Sequence, residues 1–158
     1  MRKIELLVSR LTGYVFATAG MDGAFGDCSA EAYIAQLNKN DMHKALQLHL
    51  EQSSDYRYIY GDLFKLEEPF IRTLHKNLEG FFLQHPFSME NICNNEQLNK
   101  TRYNIVLRIV DLIGMITDDF SSKEIFCTSL KSNNGYHGYV YIFKLKKDFL
   151  ILKTISRI

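Results

Sequence analysis

The chain has 158 residues, 46% of them apolar, 13% aromatic and 23% charged, with a formal net charge of +1. Such a chain is long enough to bury its own core as one globular domain over residues 1–158, and its composition excludes a disordered polymer. Near-neutral charge argues against a general polyanion binder, and three cysteines without a CxxC pair (Cys28, Cys93, Cys127) point to a reducing, cytoplasmic setting rather than a disulfide framework.

Residues 3–18 (KIELLVSRLTGYVFAT) are apolar and rich in β-branched and aromatic side chains. They predict a strand pair turning at Thr12-Gly13, with a first helix as the alternative. Met1-Arg2-Lys3 followed by Leu6-Leu7-Val8 and Ala17-Thr18-Ala19 has the outline of a signal peptide, but Glu5 and Arg10 interrupt its apolar run. The segment therefore reads as a core element, and no stretch is long and apolar enough to span a bilayer. After Gly20, Gly23 and Gly26, either Asp27 or Ser29 would cap a helix over Ala30–Leu37. Asn40-Asp41 caps a second helix with Met42, Ala45, Leu46 and His49 on one face. Tyr56–Tyr60 predicts a strand, Gly61-Asp62 a turn, and Pro69 the start of a helix running to the break at Pro86.

The clearest helix spans Leu98–Thr117, where Ile105, Val106, Ile109, Val110, Leu112, Ile113 and Ile116 form a broad stripe. Three strand-like runs follow: Glu124–Leu130, Tyr136–Leu145 and Phe149–Ile155, separated at hairpin distance. The fold class is therefore α+β, a helical N-terminal and middle region packed on a C-terminal antiparallel β-meander.

Phe25-Gly26-Asp27-Cys28-Ser29-Ala30 resembles the nucleophile motif of the NlpC/P60 cysteine peptidases, and Tyr60-Gly61-Asp62-Leu63-Phe64 is similar to that family's Gly-Asp-Leu strand. The resemblance implies Cys28 as a thiolate nucleophile at a helix N-terminus, paired with a histidine. His137 offers the strand context and His75 the sequence distance; Ala30 departs from the family's glycine. About ten residues carry the likeness. The Gly20-x-x-Gly23-x-x-Gly26 loop has neither phosphate-loop spacing nor a following lysine. The five histidines show no metal-ligand spacing, and no cofactor motif is present.

Residues 1–120 carry 12 Lys/Arg against 16 Asp/Glu, a balance of −4, whereas 121–158 carry 7 against 2, a balance of +5. The leading expectation is a non-enzymatic protein-binding module, an immunity-type inhibitor of a cognate toxin, whose acidic part meets a basic protein partner. Its expected contact residues are Asp55, Tyr56, Tyr58, Tyr60, Asp62, Asp118 and Asp119, because tyrosines anchor interfaces at low entropic cost. Two alternatives come from other classes. One is a small cysteine-dependent hydrolase built on Cys28 with His137 or His75. The other is a nucleic-acid-binding sheet using Tyr136–Phe143 with Lys131, Lys144, Lys146, Lys147 and Lys153. An aromatic core face backed by a solvated lysine face would give that second pattern without any nucleic acid.

Overall fold

The computed structural model describes residues 2–20, 28–37, 41–53, 58–67, 69–82, 95–118, 124–133 and 135–157. In chain order these form α1 (Arg2–Gly20), β1 (Cys28–Ala35), α2 (Met42–Ser53), β2 (Tyr58–Tyr60) and β3 (Phe64–Lys65). They continue with α3 (Phe70–Glu79), α4 (Asn95–Ile116), β4 (Ile125–Ser132), β5 (Tyr136–Lys144) and β6 (Phe149–Arg157). The architecture is α+β, as the periodicity predicts, and β4, β5 and β6 make the expected antiparallel meander.

The N-terminal segment is one helix, not a strand pair. Leu7, Leu11, Val15 and Ala19 recur every fourth residue and are each at most 5% exposed; a strand would place the exposed Glu5, Ser9, Gly13 and Ala17 on the same face, whereas a helix turns those away and buries the four on one stripe. Gly13 lies on the exposed side of α1 and interrupts nothing.

The helix expected at Ala30–Leu37 is instead β1, which pairs along its whole length with β6, from Cys28 opposite Ser156 to Ala35 opposite Phe149. Alanine and glutamate favour helix in isolation, but eight ladder positions outweigh that preference. Ala30 and Ala32 are small enough for α1 to lie close on the strand, and the Thr12 hydroxyl of α1 is 2.5 Å from the Ala32 carbonyl.

The sheet runs β1-β6-β5-β4-β2, with β3 also paired to β4. One face packs on α1 and α4, with α3 against α4; its core includes Leu11, Val15, Ile109, Ile113, Cys127, Tyr141, Phe143 and Leu152. The opposite face holds a second, smaller core of Leu130, Val140, Ile142, Phe149 and Ile151, on which Leu46 and Met42 of α2 sit. Burial is continuous over Val140–Phe143 and Phe149–Ile155 because helices lie on both sides. The sheet therefore has no wholly solvated lysine face.

Helix ends follow the sequence closely. The Asp41 carboxylate accepts from the Lys44 amide at 3.3 Å, the expected cap of α2. Asp41→Ala is expected to cost about 1 kcal/mol in urea denaturation. Pro69 is the N-cap of α3, which ends at Glu79, short of Pro86. Beyond α4, Asp118 adopts φ 54°, a left-handed turn that aspartate tolerates better than most residues and that stops the helix.

Candidate functional site

Gly61 joins β2 to β3 and is held from three directions. Its amide donates to the Ser129 carbonyl at 2.9 Å, and its carbonyl accepts from the Thr128 hydroxyl at 2.8 Å. The same carbonyl lies 2.8 Å from His43 Nε2 of α2, which requires the proton on that nitrogen. A Cβ at residue 61 would meet the Ser129 hydroxyl, the end of a side chain free to rotate, and no backbone atom closer than 3.9 Å. This clamp fixes an elbow from which Asp62 projects exposed, followed by Phe64 at 49% exposure, on the side of the sheet where β2 ends the strand order.

Tyr58 and Tyr60 form β2, opposite Ser132 and Leu130. Asp55, Tyr56 and Asp119 lie outside the described residues, as do the side chains of Tyr58 and Tyr60. Asp118 is exposed but belongs to a different place. It lines a cavity beside Lys144 and Lys146, toward the start of β4, whereas Asp62 follows the residue hydrogen-bonded to Ser129. The two acids do not converge.

Cys28 opens a strand, so no helix dipole acts on its thiol as the sequence motif implied. Ser156 of β6 is the partner of Cys28 on one side and of His137 on the other. The thiol and imidazole thus share a face but stand two strand spacings apart, roughly 9–10 Å between Cα atoms, with Ser156 between them. His75 is occupied elsewhere: its Nδ1 is 2.8 Å from Glu79 and its ring lies 4.7 Å from that of Tyr103. With Nδ1–H donating to Glu79, Nε2 of a neutral His75 is left as an acceptor, buried without a hydrogen-bond partner. The i,i+4 spacing of His75 and Glu79 was the available sign of this pair. Burial in the larger core pushes the Cys127 thiol up to about 12, making it inert near neutral pH.

A further polar cluster, not foreseen from sequence, sits beneath α2. Lys153 of β6 is only 2% exposed and lies directly opposite Glu31 of β1, with Nζ 3.6 Å from the carboxylate. Desolvation lowers the Lys153 pKa, and the Glu31 charge partly opposes this. His49 of α2 stacks at 5.2 Å on Tyr33. Its pKa is lowered by desolvation first and by Lys153 second, with Glu31 acting the other way. Stability is therefore expected to fall as pH drops through 6.5, the ordinary histidine value, because the unfolded chain takes up a proton that folded His49 resists. Urea midpoints at pH 7.5 and 5 should differ less for His49→Leu than for the wild type; an unchanged difference would contradict this.

The C-terminal lysines do not form one surface. Lys131 is exposed on the α1/α4 side of the sheet, Lys153 is buried on the other, and Lys146 and Lys147 occupy the β5–β6 turn. Tyr139 is 49% exposed while Tyr141 is buried. Among the described residues there is no group of three potential metal ligands, and no helix long and apolar enough to cross a membrane.

No family model, curated protein or solved structure matches this chain.

Proposed function

We propose that the protein is a non-enzymatic binding module that engages a basic protein through the β2–β3 elbow, as an immunity-type inhibitor engages its toxin. The observation that carries this reading is the clamped Gly61. Three hydrogen bonds hold the backbone there while Asp62 and Phe64 stay exposed, so an acid and an aromatic anchor are presented without a large ordering cost on binding. The acidic balance of residues 1–120 would steer a cationic partner toward the molecule. A cytoplasmic setting accords with the buried, unbridged Cys127. The hydrolase alternative lacks comparable support, since strand β6 intervenes between Cys28 and His137.

The test is binding to a cognate basic protein recovered from the native host, using the wild type and the double variant Asp62→Lys/Phe64→Ser. The double variant should weaken binding by about a hundredfold, since two central anchors are lost. The Asp62→Lys change alone should reduce the association rate most at low salt. Equal affinity of wild type and double variant would overturn the proposal.

A further inference from the structure

The cavity bounded by the start of α1, the end of α4 and the β5–β6 turn plays no part in that reading. Its volume is about 540 Å³, within the range of small-molecule sites. Its wall combines Ile4, Leu7, Met115, Ile116 and Leu145 with Lys3, Lys144, Lys146, Thr117 and Asp118. From this geometry we infer that it binds a small anion bearing an apolar tail, a medium-chain carboxylate being the simplest case.

Two independent features support this. The first is charge. Among the described residues, three lysines face a single aspartate around the cavity, and neither Lys3 nor Lys146 ion-pairs with another of them. The start of α1 and the end of α4 both meet here, so their opposite terminal partial charges offset one another and the excess among the described lining residues is cationic.

The second feature is an apolar floor that the fold does not finish. Ile4 continues the Leu7–Leu11–Val15 stripe by one more turn, yet it is 44% exposed where those three are at most 5%. Met115, near the end of α4, is 55% exposed. Core-type side chains therefore line an open cavity rimmed by ammonium groups. That pairing selects a ligand with a charged head and a hydrocarbon body over a bare ion or a neutral lipid.

Isothermal titration of the full chain with decanoate, acetate and decanol separates the two contributions. Decanoate should bind, acetate about tenfold or more weaker because it lacks the tail, and decanol likewise weaker because it lacks the charge. The exposed pair Lys3→Gln/Lys146→Gln should fold normally and lose about tenfold in decanoate affinity. Amide chemical-shift changes should centre on residues 3–7, 115–118 and 144–146. Absence of decanoate binding, equal binding of decanoate and decanol, or undiminished binding by the double variant would overturn the inference. Equal binding of acetate and decanoate would overturn it too.

Discussion

Gly138→Ala is expected to cost about 3 kcal/mol or more in unfolding free energy, enough to unfold a marginal domain. A Cβ at this position of β5 would overlap the carbonyl oxygen of Thr154 and come 3.0 Å from the Ile155 Cα. Both belong to β6, which is held between β1 and β5 and buried along Phe149–Ile155. Those backbone atoms cannot yield without breaking ladders on both sides. Gly13→Ala is the matched control: nothing lies within 4 Å of the added methyl, and it sits on the exposed side of α1. There the exchange should stabilise by ~0.5–1 kcal/mol, because alanine loses less conformational freedom in a helix. Urea denaturation reads both. A Gly138→Ala variant within 1 kcal/mol of the wild type would show that β5 and β6 are less closely apposed than described.

The second large effect concerns the buried ammonium under α2, where the two partners should respond with opposite sign. Glu31→Gln leaves Lys153, 2% exposed, without its carboxylate and should destabilise by about 1–3 kcal/mol. The figure lies below that for a fully buried pair because the Glu31 side chain is 52% exposed and water reaches it. Lys153→Met removes the buried charge and leaves a glutamate that solvent can hydrate. It should be neutral or stabilising by up to about 2 kcal/mol. The pH dependence separates this account from simple loss of packing. Desolvation holds the Lys153 pKa below 10.5, so between the folded value and 10.5 the unfolded chain binds more protons. Wild-type stability should therefore gain a contribution as pH rises through that window, and Lys153→Met should lack it. Losses of equal size from both single variants would contradict the argument.

Much of the fold was legible from periodicity. The α4 stripe, the Asp41 cap, the Pro69 start and the three C-terminal strands follow from local spacing and turn chemistry. The strand pair preferred over the helix alternative for residues 3–18, and the helix expected over 30–37, failed for one reason in two forms. In α1, β-branched and aromatic content suggested strands, but only a helix separates the exposed Glu5, Ser9, Gly13 and Ala17 from the buried Leu7, Leu11, Val15 and Ala19. In β1, helix-favouring alanines were overridden by a partner strand more than a hundred residues away. Long-range pairing leaves little trace in a local window.

The candidate site was legible only in part. Tyr58, Tyr60 and Asp62 do mark a sheet edge, but the hydrogen bonds to Gly61 come from His43 and Thr128, and nothing in the spacing announces that meeting. Asp118 looked like a member of the same acidic surface and proved to line the lysine-rimmed cavity instead. Lys153 looked like a solvated strand lysine because an alternating pattern cannot reveal that α2 covers the second face.

The elbow is tested most directly by placing a photo-crosslinking amino acid at position 64 in cells of the native host, with position 107 on α4 as the control. Both positions are exposed, Phe64 at 49% and Leu107 at 39%, so the probe reaches solvent at each. Irradiation should join residue 64 to a single basic protein and residue 107 to none, with the product lost on adding Asp62→Lys. Crosslinks of equal yield from both positions, or a product at 64 that survives the charge reversal, would contradict a partner seated on the clamped edge.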